Sequence, residues 1–88
     1  MPYIKQEKRK ELDALVDETI AKINALDDKD KDGCINYMFT RILKNTYSQS
    51  YFNYNRIMGV LECVKQEFYR RVIGPYEDLK IKENGDVQ

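Results

Sequence analysis

The chain has 88 residues, with 15 Lys and Arg against 15 Asp and Glu, no His and no Trp. That length makes a single domain with a modest core, of the size often helped by oligomerisation. Zero net charge argues against a general binder of polymeric nucleic acid or of membrane surfaces, and no apolar run approaches the ~20 residues of a membrane span.

The start, MPYIKQEKRK, is charged and has no apolar stretch of the kind a signal peptide carries. With only Cys34 and Cys63, both read as reduced packing thiols, the expectation is a cytoplasmic protein. Residues 1–4 read as a lead-in, in which Tyr3 and Ile4 can pack on the body. Over about 5–26, Leu12, Leu15, Val16, Thr19, Ile20, Ile23 and Leu26 recur at i, i+3, i+4 spacing and predict a helix. Its other faces carry Lys8, Arg9, Glu11, Asp13, Asp17, Glu18 and Lys22, a solvated side.

Residues 27–33 read as a charged link ending in Gly33. Ile35, Met38, Phe39, Ile42 and Leu43 predict a second, shorter helix over about 34–45, capped by Asp32 or Gly33. Residues 46–55 are polar and aromatic, and read as a helix tail, a loop and the start of helix three, which Asn53 or Asn55 could cap.

The third helix, over about 54–73, has the clearest rhythm. Ile57, Leu61, Val64, Phe68 and Val72 form one stripe, with Met58 and Tyr69 on one flank and Val60 and Cys63 on the other. That spread suggests more than one packing partner. Gly59 falls near the back, at about 1 kcal/mol against Ala. Either a backbone or ligand approaches it, or it is a helical Gly without a role. Gly74-Pro75 reads as the stop. Beyond it, Leu79-Lys80-Ile81-Lys82 alternates and Asn84-Gly85 signals a turn, so residues 74–88 read as an extended arm.

Three constellations bear on chemistry. Asp28, Asp30, Asp32 and Gly33 imitate the first half of an EF-hand calcium loop, but Phe39 stands where the bidentate Glu belongs. A solvated acidic link is the better reading, and no metal site is expected. Carboxylates such as Glu62, Glu67, Glu77 and Asp78 have no spacing that specifies an acid–base pair. Without His, a nucleophile elbow or a phosphate loop, the chain is not read as an enzyme, and no cofactor is expected.

The third constellation is basic and aromatic. Tyr69, Arg70 and Arg71 close helix three, and Tyr76, Lys80 and Lys82 follow. Tyr37 and Arg41 share a face of helix two at i, i+4. Arg forks hold phosphate and Tyr faces stack on bases, so together they could form a pocket for a nucleotide-like ligand. The competing reading is cations meeting a helix dipole beside semi-buried tyrosines.

Several stretches carry a resemblance: Met1-Pro-Tyr-Ile with Leu12-Asp13; Ile35-Asn-Tyr with Thr40-Arg41; Ile57-Met-Gly-Val-Leu-Glu-Cys-Val-Lys with Glu67-Phe-Tyr-Arg-Arg-Val; Pro75-Tyr-Glu-Asp; and Lys80-Ile-Lys-Glu-Asn-Gly-Asp-Val. They resemble a family of small phage and bacterial proteins of unknown function. The chain is also similar to small helical phage proteins that act as nucleotide sponges, which bind the cyclic dinucleotide signals of bacterial antiviral defence. That resemblance implies a homo-oligomer, tight binding without catalysis, and ligand sites near subunit contacts.

The expected architecture is an all-α, three-helix domain with one long C-terminal helix and an extended arm, assembling as a dimer or tetramer through helix three and the arm. The expected function is sequestration of a cyclic dinucleotide, in the host cytoplasm if a phage encodes the chain. Phosphates would meet Arg41, Arg70, Arg71 or Lys80, with Lys82 nearby, and bases would stack on Tyr37, Tyr69 or Tyr76. The alternative from another class is a helical protein–protein interaction module.

Overall fold

A computed structural model of the chain describes residues 2–88; of the lead-in expected at 1–4, Met1 lies outside them. The fold is all-α, with three long helical rods. The first is α1, Gln6–Asn24, and the second is α2, Asp28–Thr46. The third starts as α3, Tyr51–Phe68, passes through a π-helical turn, Tyr69–Ile73, and runs on as α4, Gly74–Asn84.

The acidic stretch expected as a link is the beginning of α2. Asp28 and Asp30 sit in its first turn, where negative charge meets the positive end of the helix dipole. Asp27 precedes them with extended backbone, and its carbonyl accepts from the Asp30 N–H at 2.9 Å. At about 100° per residue, Asp28 and Asp32 share a face while Asp30 points to the opposite side, so the three do not converge as a calcium loop's ligands do. Among the described residues, no group of three or more His, Cys, Asp or Glu is placed to hold a metal ion.

Ser50, in place of Asn53 or Asn55, caps α3. Its backbone is extended, and its hydroxyl accepts from the Asn53 N–H at 3.0 Å. Asn53 turns its own amide back to the Ser48 carbonyl and hydroxyl, both at 3.0 Å, which clamps the link from α2. The Arg56 guanidinium lies over the Tyr47 ring at 4.9 Å and the Phe52 ring at 5.8 Å, so the aromatic link is pinned by a cation.

The extended arm is replaced by helix over Gly74–Asn84. Pro75 lacks an N–H and its ring presses on the carbonyl four residues back, so it ordinarily ends a helix. The π turn gives it room, since the Gly74 N–H reaches the Tyr69 carbonyl five residues back. Gly74 itself is α-helical, at φ −54° and ψ −55°. The residue before proline resists that conformation partly through its Cβ, which Gly does not have. Tyr69 also donates to the Glu77 carboxylate at 2.6 Å and bridges the turn. The helix ends at Gly85, whose φ of 86° suits a glycine.

The three rods pack loosely. Backbone contact between the rods is sparse, with α1 meeting α2 most closely, and α2 reaches α3 through side chains at Leu61. Among the described residues no side chain is fully buried. The radius of gyration is 16.8 Å, against about 12 Å for a compact domain of this length. Among the described residues, no helix is long and apolar enough to cross a membrane.

Candidate functional site

A groove runs along one polar face of α2. Asp32, Gly33, Asn36, Tyr37, Thr40, Arg41, Lys44 and Asn45 line a space of about 850 Å³. These positions recur three and four residues apart, so they form a single helical stripe. Every lining residue belongs to α2, which makes the groove one wall of a site.

Local bonds shape that wall. The Thr40 hydroxyl donates to the Asn36 amide oxygen at 3.3 Å, and the Asn45 amide donates to the Arg41 carbonyl at 2.8 Å. Among the described residues neither Arg41 nor Lys44 forms an ion pair. The Tyr37 ring is 61% exposed, which leaves its face open to a flat partner. Two cations without carboxylate partners, beside an open ring, suit an anionic ligand that carries an aromatic group. Tyr37 and Arg41 are therefore together, as their spacing predicts. Lys44 escaped the sequence reading, although it lies three residues beyond Arg41 on the same stripe and the same periodicity reaches it.

The remaining predicted residues gather at the other end of the chain. Tyr69, Arg70 and Arg71 lie in the π turn, and Tyr76, Lys80 and Lys82 on α4. None of them lines the α2 groove. Most already have partners. Arg70 pairs with Glu67 at 2.8 Å, and Lys80 pairs with Glu83 at 3.1 Å while lying 5.4 Å from the Tyr76 ring centre. Tyr69 is held by Glu77, whose acceptance of the hydroxyl proton pushes the phenol up from its ordinary value. Arg71 and Lys82 make no ion pair among the described residues. The structure thus divides the predicted set into an open pair on α2 and a largely self-neutralised group on the third rod.

Glu67 is the most shielded of these charges, at 19% side-chain exposure. Besides Arg70 it takes a hydrogen bond from the Tyr3 hydroxyl, which lowers its carboxyl from the usual value, with Arg70 and Arg71 adding to the effect. Glu62 is also lowered, first by the Gln66 amide and then by Lys65. Both carboxylates act as hydrogen-bond acceptors, Glu67 from Tyr3 and Arg70 and Glu62 from Gln66.

The free thiols do not add a site. Cys34 is half-buried and borders the groove between α1 and α2, where Leu15, Ile23 and Met38 face it, and Cys63 is exposed on α3.

No curated protein and no solved structure matches the chain. A family model does, over residues 1–87, and its description is Domain of unknown function (DUF6899). The chain belongs, over nearly its whole length, to that family of unknown function.

Proposed function

We propose that the chain is a non-catalytic binding protein that sequesters a cyclic dinucleotide, with the Tyr37–Arg41–Lys44 face of α2 as the ligand's first wall. One observation carries the reading: Arg41 and Lys44 share a face with an open Tyr ring and lack carboxylate partners among the described residues. Bidentate Arg and point-charge Lys suit two phosphates, and a Tyr face suits a base. The resemblance to phage nucleotide sponges supplies the ligand class and the biological setting, which is immune evasion in the cytoplasm of an infected cell. It also supplies the homo-oligomer, dimer or tetramer, whose second subunit would close the one-walled groove.

The test is a thermal-shift screen of the purified chain against cyclic dinucleotides, cyclic trinucleotides and their linear forms. A ligand at 100 times its dissociation constant adds about 2.7 kcal/mol of stability. The expected result is a shift with one cyclic dinucleotide and none with its linear form. Tyr37→Ala should weaken binding by about 1–3 kcal/mol. Arg41→Ala should weaken it as well, and Arg70→Ala should leave it unchanged. A flat screen at saturating concentrations would sink the proposal.

A second reading has its own support. Leu15 and Ile42 are 62% and 56% exposed, and large apolar side chains on all three rods are similarly open. Exposed apolar surface of that extent marks a protein-interaction module. A flat nucleotide screen together with a stable complex with a host protein would favour it.

A further inference from the structure

The apolar stripe of the third rod is covered along only half its length. Ile57 and Leu61 are half-buried, and Leu61 shares a groove of about 420 Å³ with Ile35, Phe39 and Leu43 of α2. From Val64 onward the cover ends. Phe68 is 56% exposed and Val72 51%. A groove of about 540 Å³ opens there, walled by Val64, Phe68, Tyr69 and Ile73.

The missing cover has a size. A folded monomer of 10.5 kDa exposes about 5,400 Å² by the scaling of area with mass. This chain exposes 8299 Å². The excess, about 2,900 Å² per chain, is about 5,800 Å² over two copies, at or above the top of the roughly 2,000–5,000 Å² that large obligate interfaces bury over both partners, so a second copy has ample surface to cover.

We propose that the open half of this stripe, from Val64 to Ile73, is occupied by a second copy of the chain, and that the two copies build between them the core that neither has alone. Two observations favour a copy over an unrelated partner. With 15 basic and 15 acidic residues the chain has no net charge, so copies do not repel one another. And a chain that, among the described residues, fully buries no side chain by itself depends on its partner for its fold, a need that a copy meets wherever the chain is made. The apolar ridge of α1, with Leu15, Val16 and Ile20 about half exposed, supplies side chains for the groove. This inference deepens the proposed homo-oligomer by naming its interface, and because the protein is tested without nucleotide, its failure and that of the nucleotide reading are told apart.

The experiment is sedimentation equilibrium and far-ultraviolet circular dichroism on the full chain without nucleotide, over about three decades of concentration. The expected result is a dimer or higher even-numbered assembly whose helical signal falls as it dissociates. Val72→Thr keeps the side-chain shape but adds a hydroxyl, and should weaken assembly about tenfold or more while high concentration restores the helix signal. Val87→Thr, on the exposed tail, should change nothing. A monomer that stays helical with a concentration-independent melting temperature would overturn the proposal. So would an assembly that Val72→Thr and Phe68→Ala both leave intact.

Discussion

The Tyr3 hydroxyl donates to the Glu67 carboxylate, joining the head of the chain to the end of α3 across 64 residues of sequence. The bond shifts both groups in opposite directions. Glu67 is lowered from its ordinary value, chiefly by Tyr3, and Tyr3 is raised from 10.0, chiefly by Glu67.

The signs give a pH prediction. Glu67 holds its proton less tightly when folded, so its contribution is present above the unfolded carboxylate value. It is lost as pH falls through the lower folded value. Tyr3 holds its proton more tightly when folded, so its contribution is present below the ordinary phenol value and is lost as pH rises through the higher folded one. Tyr3→Phe should therefore lower the melting temperature near neutrality, and the gap to the parent should close at both pH extremes. Melting curves that stay parallel across the whole range would mean the two ends do not meet in solution.

The cap of α3 offers a test with a known scale. Ser50→Ala removes the oxygen that the Asn53 N–H donates to, and should cost about 1 kcal/mol. In a domain of this size that lowers the melting temperature by roughly 4–8 °C. Ser50→Asp keeps an acceptor and should retain most of the stability. Equal losses from both substitutions would assign the effect to something other than the cap.

Gly33 is a glycine inside a helix, and a Cβ built there meets nothing within 4 Å. Gly33→Ala should therefore stabilise the chain, by up to about 1 kcal/mol, as read by urea titration. The same holds for Gly59, where a Cβ also meets nothing within 4 Å. A loss of stability at Gly59 would place another backbone against that face.

Gly74 should respond in the opposite sense. A Cβ there would be in ordinary contact with the Tyr69 carbonyl at 3.4 Å, so the cost comes from the position before Pro75, where a side chain disfavours helical backbone. Gly74→Ala should cost on the order of 1 kcal/mol, with faster amide exchange confined to residues 76–84. Unchanged protection of α4 would show that the π turn, without help from the glycine, carries the helix past Pro75.

The parts of the fold legible in the sequence are those written as period. Leu12, Leu15, Val16 and Ile20 mark α1 because burial needs one face, and Ile57 to Val72 mark the third rod for the same reason. The first turn of α2 was hidden because three Asp and Gly33 have poor helix propensity, while the dipole that favours them depends on the helix being there. Gly74-Pro75 looked like a stop because a π turn is an i to i−5 bond and leaves no residue pattern. At the candidate site, Tyr37 with Arg41 was readable from spacing, and so was Lys44. That Arg70 and Lys80 are engaged by Glu67 and Glu83 is also an i, i+3 relationship, and it weakens them as free phosphate holders. What periodicity does not encode is the object that covers an apolar face. The stripe names Phe68 and Val72 as members without saying whose atoms lie on them.

The lack of a fully buried side chain changes what a mutational scan of this protein would measure. In an ordinary domain, truncating Leu, Val or Phe probes interior packing, and sensitive positions outline the core. Here the intramolecular neighbours of Leu15, Phe68 or Val72 are few enough that truncation leaves no cavity within one chain. A position intolerant of such truncation would be reporting contact with another molecule. A map of tolerance along the three rods would then be a footprint, drawn residue by residue, of whatever the chain holds in the cell.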